Sequence, residues 1–482
     1  MVEALCKQSR RETIRILLIN PPIRPTEIYS RFAGAAPRLP ALGIRYLSAF
    51  MQRAGYDASV VDAAVSSMSH EDLRALITRQ RPDVVGVTAT TVALKSARDV
   101  VRMVKALPSR CLTILGGAHL SALPGPTMRE CPGVDIGVVG EGEHTLLEIC
   151  ERHGRGEALD DVAGTVVHRD GKIHVNAARA PERNLDVFPP PDWDDLDGRR
   201  SYAHTPFRGS QSTVPLISSR GCPFGCGYCD QSVFGRTWRA HSAARVVEEM
   251  EQASRRSAAS FVSFEDDNFL LDKDRVADLC RMLRRKNLAI EWGCSARVTS
   301  LDSEILAGMR SAGCRVIYVG IESASPRVLK LVDRRISTDK VRAGVSLIKR
   351  AGLRAYGSFV LGFPTETRRE MRDTVRFALE LPLDGASFFV FVPYPNTRLR
   401  GLAAQHGRVS DDWSDYSAHP QRPPYVPANI PAEALLRYQL LAYVRFFLRW
   451  KYVRHHLPTL VRPSFIMKTV PFLLGLRRNG NA

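Results

Sequence analysis

Short apolar runs alternate with amphipathic stretches along most of the chain. The first run, Ile14-Arg15-Ile16-Leu17-Leu18-Ile19, stops at Asn20-Pro21-Pro22. A short apolar run ended by turn residues predicts a buried strand. A helix is predicted around 42–54, closed by Gly55. Then come a strand at 58–61, a helix at 70–79, a strand at 83–88 and a helix at 93–106. A strand at 112–115 closes on Gly116-Gly117. The strand 134–139 and the turn Gly140-Glu141-Gly142-Glu143 open a helix at 144–152. Repeated βα units predict an α/β fold, here a doubly wound Rossmann-like sheet with helices on both faces. Ligands of such sheets sit at the C-terminal strand ends.

The pattern weakens over 155–212, where 162–169 and 172–175 read as a hairpin about Asp170-Gly171. Residues 188–193 form a proline-rich linker. From 213 the alternation resumes. A strand at 214–218 is followed by helix–strand pairs at 243–257/260–264, 273–286/289–294, 302–312/315–319, 338–351/355–361 and 368–381/386–391. This predicts a partial (β/α)6 barrel of TIM type, with its site at the C-terminal strand ends. Beyond 401 no strand alternation is read. Residues 432–451 are helical and aromatic, 464–474 are apolar but too short to cross a membrane, and a helical cap over the barrel mouth is expected. The divisions are 1–155, 156–212, 213–400 and 401–482.

Composition narrows the class. The chain has 482 residues, 44% hydrophobic and 24% charged, as soluble multidomain proteins have. A net charge of +18 favours acidic partners. The arginines are spread along the chain without aromatic-interleaved clusters, so no nucleic-acid partner is expected, and at most peripheral membrane contact. The 10 cysteines and the lack of a readable secretory signal predict a reduced, cytoplasmic protein.

Three of those cysteines fall in one Gly- and Pro-rich loop, as Cys222-x3-Cys226-x2-Cys229. A closed structural metal site wants four protein ligands. Three thiolates on a [4Fe–4S] cluster leave one iron open for chemistry. A zinc site completed by Cys280, Cys294 or Cys314 is the rival, but those lie singly in apolar or helical settings and read as small buried hydrophobes.

The loop, with Tyr228 just before its third cysteine, resembles the cluster motif of the radical S-adenosylmethionine enzymes. The resemblance implies that Cys222, Cys226 and Cys229 hold the cluster. It implies that S-adenosyl-L-methionine binds the open iron and is cleaved to a 5'-deoxyadenosyl radical that abstracts hydrogen from substrate. It also implies an external electron donor: a flavodoxin, a ferredoxin or a dedicated reductase.

Each later strand end then carries an expectation. Glu265, Asp266 and Asp267, in Phe264-Glu265-Asp266-Asp267-Asn268-Phe269, resemble an acidic box near the cofactor's ammonium; a cap or solvated turn is the alternative. Arg297 suits the cofactor's carboxylate or an internal salt bridge. Glu322 and Ser323, in Gly320-Ile321-Glu322-Ser323, resemble the box near its ribose hydroxyls. Gly357 and Gly362 would admit the adenine. Tyr394, in Pro393-Tyr394-Pro395-Asn396-Thr397, resembles a P-Y-P-G-T box with Asn for Gly, and faces substrate or core. Tyr394 and Asp267 are the catalytic candidates.

The first 150 residues resemble the cobalamin-binding domain found upstream of many radical S-adenosylmethionine domains. The match lies in Asn20-Pro21-Pro22, Leu42-Gly43-Ile44-Arg45-Tyr46-Leu47, Gly55-Tyr56, Gly116-Gly117-Ala118-His119 and Gly140-Glu141-Gly142-Glu143. The ligating signature D-x-H-x-x-G is absent. The domain pairing implies cobalamin-dependent C-methylation of a small-molecule, natural-product type of substrate. The alternative is a dehydratase or cyclase with an empty cobalamin-like domain. A non-catalytic cluster protein is a third reading.

Overall fold

The computed structural model describes residues 14–35, 39–108, 110–191, 193, 212–257, 259–450 and 452–454. Asp192 and 194–211 of the linker region and the apolar run 464–474 lie outside them.

The N-terminal sheet is built from β1 (Arg15–Asn20), β2 (Asp57–Asp62), β3 (Val84–Thr88), β4 (Leu112–Gly116), β5 (Ile136–Val138), β6 (Thr165–Arg169) and β7 (Lys172–Val175), in the order β2-β1-β3-β4-β5-β6-β7. β1 to β5 run parallel, with helices between them. β1 is buried over Ile16–Ile19, as its apolar run predicts. The order reverses between β1 and β3, which opens a crevice at their C-terminal ends. The hairpin β6–β7, read as part of the connector, pairs antiparallel with β5 and extends this sheet. It covers an edge that would otherwise be left unpaired.

β8 (Thr213–Leu216) opens the second unit. It is followed by a two-residue ribbon, β9 (Ser219–Arg220) against β10 (Arg239–Ala240). β11 (Phe261–Phe264), β12 (Glu291–Ala296), β13 (Cys314–Glu322), β14 (Arg354–Leu361) and β15 (Gly385–Val390) complete a parallel six-stranded half-barrel in sequential order. One large core fills it and takes in Phe32, Leu42 and Tyr46 from the N-terminal unit.

The C-terminal region departs from expectation twice. It contains a ribbon of β16 (Gly407–Val409) against β17 (Tyr425–Pro427). Its helix, Ala432–Phe447, seals the half-barrel's open edge, and only its first turn reaches the mouth, where Leu435 packs at Gly362. The Phe388 amide donates to Tyr443 Oη at 3.1 Å, and Gln439 Nε2 donates to the Phe388 carbonyl at 2.8 Å. An edge strand's unpaired backbone is thus satisfied by helix side chains. The mouth is instead overlaid by the N-terminal segment 25–35. Phe32 packs on His419 and Tyr443 at 5.0 and 4.9 Å between ring centres, and Tyr29 feels the Glu265 carboxylate.

Candidate active site

The cysteine loop leaves β9 through Gly221, which has φ +84° and where a Cβ would fall 2.1 Å from the Thr237 carbonyl oxygen. Only glycine fits there. Gln231 Nε2 then donates to the Cys222 and Phe224 carbonyls at 2.8 and 3.0 Å, and the Cys229 amide donates to the Cys226 carbonyl at 3.1 Å. Loop backbone at Gly227 is tied to Val332 and Leu399. Cys222 is half-buried, Cys226 buried and Cys229 exposed, and none is in a disulfide.

Two guanidiniums converge on Cys226. Arg297 Nη1 lies 3.8 Å and Arg334 Nη1 3.7 Å from its Sγ. A hydrogen bond from Cys229, and then Arg334 and Arg297, lower the Cys226 thiol to about 5. Cys229, as the donor, is raised. Cys222 is raised by burial. Cys226 is therefore the thiolate of the set, the form that binds metal. Among the described residues no three His, Cys, Asp or Glu side chains gather as a single metal ion would gather them. Three soft sulfurs, one already ionised, fit an iron–sulfur cluster rather than a hard cation.

Arg297 sits at the end of β12, stacked 3.9 Å over Phe224, and donates to the Arg334 carbonyl at 3.2 Å. It thus faces the cluster loop, at the position from which a cofactor carboxylate would be reached. Arg334 is missed by strand-end reading because it lies in the loop after the helix Pro326–Leu331. Its Nη2 donates to the Gly320 carbonyl at 2.7 Å and pairs with Glu322 at 3.7 Å. A Cβ on Gly320 would fall within 2.6 Å of both groups. Glycine at 320 is what leaves room for the Arg334–Glu322 pair.

Glu322 is held at φ +68° where β13 slips register against β14. A non-glycine residue in the left-handed region is a strained position of the kind found at functional sites. Burial raises its carboxyl, Arg334 opposes that, and Tyr228 hydrogen-bonds to it. Tyr228 is raised by burial, then by Glu322, and packs on Phe363.

The acidic box divides by alternation. Glu265 and Asp267 are exposed, while Asp266 and Asn268 are buried. Asp266 accepts from the Ser218 amide and hydroxyl and the Ser219 hydroxyl at 3.0, 2.7 and 2.5 Å. It fastens the end of β11 to the segment between β8 and the cysteine loop. Asp267 stands in the mouth, raised by surrounding protein and then by Asp266. The Asn268 amide has no hydrogen-bond partner among the described residues.

Three other expected positions also make contacts within the protein. Ser323 Oγ bonds Thr374 Oγ1 at 3.1 Å and accepts from the Ser325 amide. A Cβ on Gly357 would strike Leu383 at 2.8 Å, and one on Gly362 would strike Leu435 at 2.8 Å, so close packing excludes a side chain at both. Tyr394 is partly buried beside Tyr29 and Asp230, its phenol pushed up to about 12 by burial.

A buried ionic clamp joins this loop to the N-terminal unit. Arg220, two residues before Cys222, pairs with Glu141 at 3.0 Å and Glu143 at 2.6 Å and lies 4.7 Å over Phe188. Arg239, across the ribbon, also bonds Glu141. Tyr46 donates to Glu249 at 3.0 Å, beneath the same cluster. The turn Gly140–Glu143, matched on sequence to the cobalamin domain, is engaged with the barrel. At the end of β4, His119 is 1% exposed; its Nδ1 meets Thr91 Oγ1 at 3.2 Å while Nε2 lacks a partner among the described residues. The His119 ring meets Trp413 edge-on at 4.8 Å between centres, and its unpaired nitrogen lies past the C-terminal end of β4, the side of the sheet on which a polar ligand such as cobalamin would sit.

Comparisons with known proteins agree with this layout. The Radical SAM superfamily matches residues 216–378 and the B12 binding domain matches 32–150. An uncharacterized methyltransferase of Pyrococcus horikoshii is 34% identical over 443 residues, covering 91% of this chain and 94% of that protein. An anaerobic magnesium-protoporphyrin IX monomethyl ester cyclase of Rubrivivax gelatinosus is 28% identical over 389 residues, covering 79% of this chain and 68% of its own. The structure of TsrM, a radical S-adenosylmethionine methyltransferase from Kitasatospora setae with cobalamin and a [4Fe–4S] cluster bound, superposes with a TM-score of 0.66 at 17% identity, covering 82% of this chain and 75% of that one. That last likeness shows the fold.

Proposed function

We propose C-methylation of a small molecule for this chain, which belongs to the cobalamin-dependent radical S-adenosylmethionine methyltransferase family. The observation that carries the reading is the Cys226 thiolate held between Arg297 and Arg334 at the mouth of a half-barrel clamped to a B12-type sheet. Cys222, Cys226 and Cys229 would hold the [4Fe–4S] cluster, and the β1/β3 crevice with His119 would hold cobalamin. When bound, the cluster with S-adenosylmethionine supplies a carbon radical and cobalamin supplies a methyl carrier.

The chain's own groups bind, orient and exclude water. Arg297 and Arg334 would offset the negative charge of a thiolate-bound cluster and, after the hydrogen bond from Cys229, lower the Cys226 thiol. Glu265 and Asp267 offer carboxylates to an ammonium at the mouth. Glu322, fixed by Arg334, offers an acceptor for hydroxyls. Tyr394, with its phenol at about 12, stays protonated near neutral pH and can donate but not abstract a proton. Tyr29, Phe32 and His419 close an aromatic roof over the mouth. That lining suits a substrate with an apolar body. A flavodoxin, a ferredoxin or a dedicated reductase would supply the electron, and the reaction would take place in the cytoplasm.

Product mass is the test. Turnover by reduced, reconstituted enzyme should add CH2 to the substrate. Loss of water or ring closure without methyl gain would replace this reading with the dehydratase or cyclase alternative.

A further inference from the structure

The helix Ala432–Phe447 has a face the barrel does not use. Inward, Leu435, Gln439, Ala442, Tyr443 and Phe446 are buried against the half-barrel. Outward, Arg437, Leu441, Arg445 and Leu448 are all exposed. Their spacing of four, four and three residues places them in one stripe along the helix and its end. Four large hydrophobic side chains are exposed among the described residues, and three of them, Leu441, Leu448 and Trp450, lie on or just past this helix. Trp450 is 74% exposed, whereas its neighbour Arg449 turns inward over Phe446 at 3.8 Å. The apolar tips are thus not part of the core.

Charge selects the partner. Glu433 is the last acidic residue of the chain; the residues after it include nine Lys and Arg and no Asp or Glu. Two arginines alternating with two leucines on one exposed face, with the exposed Glu433 one turn before them and the exposed Trp450 past the helix end, match a surface of anionic headgroups over hydrocarbon. The cations meet the phosphates, the leucines enter the acyl boundary, and the indole sits between. Nucleic acid would satisfy the arginines but not the exposed leucines. No helix among the described residues is long and apolar enough to cross a membrane, so the contact is with its surface.

We propose that the outer stripe Arg437-Leu441-Arg445-Leu448 with Trp450 docks the enzyme peripherally on an anionic membrane. The stripe runs along the sealed edge of the half-barrel, and Leu435 of the same helix touches Gly362 at the end of β14. Docking would therefore set the sealed edge of the half-barrel against the lipid, with the ends of its strands beside the surface. The proposal does not depend on the reaction assigned above.

Co-sedimentation of the full-length protein with vesicles tests it. The protein should pellet with phosphatidylcholine vesicles containing phosphatidylglycerol, pellet little with phosphatidylcholine alone, and be released by salt. Arg437→Glu with Arg445→Glu should weaken partitioning by more than about tenfold. Leu448→Ser with Trp450→Ser should weaken it several-fold, and both variants should keep wild-type circular dichroism. Failure to pellet with anionic vesicles at low salt would overturn the proposal. So would pelleting that neither variant reduces, complete displacement by duplex DNA with tighter DNA binding, or a stripe that buries itself in a dimer which the variants convert to monomer.

Discussion

Cys226, Arg297 and Arg334 meet at one sulfur, and removing each member has a different consequence. Cys226→Ser deletes the ionised ligand and should abolish cluster retention, read as iron per chain after anaerobic reconstitution. Arg334→Gln keeps the ligands but removes the nearer cation, so cluster should form with a shifted reduction potential and a fall in kcat of roughly tenfold or more. Asp266 belongs to a different class. Its carboxylate holds three donors inside the protein, so Asp266→Ala should cost about 2–4 kcal/mol in denaturant unfolding. Asp267→Asn should leave stability within about 0.5 kcal/mol and act on cofactor binding instead. The sequence could have separated these two neighbours. Alternation carries on past Phe264, so 264, 266 and 268 point inward while 265 and 267 point out. Arg334 was not legible in that way. It is presented by a loop in which Asp333 and Arg335 adopt φ of +53° and +42°, and nothing in its local pattern marks it.

Elements were largely legible because their apolar runs are buried as runs. The strands that end at the cysteine loop, Phe264, Ala296, Glu322, Leu361 and Val390 follow from periodicity, and the structure places them in one parallel sheet. The connection between the units was not legible, because Arg220 and Glu143 are 77 residues apart and pair only after folding. Glu143→Gln should therefore cost about 3 kcal/mol and loosen the cysteine loop, lowering iron retention while far-ultraviolet dichroism is unchanged. Arg220→Lys keeps the charge but loses the fork, and should fall between wild type and Arg220→Ala. The seam at His419 gives a pH signature. Burial lowers its imidazole from 6.5 to about 4, so it is neutral when folded but takes a proton when unfolded below 6.5. Its stabilising contribution is present above 6.5 and is lost as pH falls towards 4, at about 1.4 kcal/mol per pH unit. His119 and His241, also lowered by burial to about 4, act in the same direction. Glu249 and Glu366, raised from 4.5 by burial to about 7 and about 8, act in the opposite direction, so the signature lies in the difference between proteins: His419→Gln should make the change of thermal midpoint between pH 6.5 and 4 shallower on the acid side than in wild type.

At the scale of the molecule, the N-terminal unit is part of the barrel's site rather than an appendage. Its segment 25–35 roofs the mouth, Phe32 enters the barrel core, and its Glu141–Glu143 turn grips the residues that lead into the cysteine loop. The C-terminal helix completes the enclosure by sealing the edge strand. With the cluster loop clamped to the B12-type sheet through Arg220, Glu141 and Glu143, both groups should bind the same chain together. The measurement that tests this most directly is anaerobic reconstitution of the whole chain with iron, sulfide and hydroxocobalamin, followed by gel filtration and visible spectroscopy. Wild type should retain about four irons and about one cobalamin per chain, and Cys226→Ser should lose the iron while keeping the cobalamin. A protein that holds its cluster and cleaves S-adenosylmethionine at full rate but elutes without cobalamin would contradict the account.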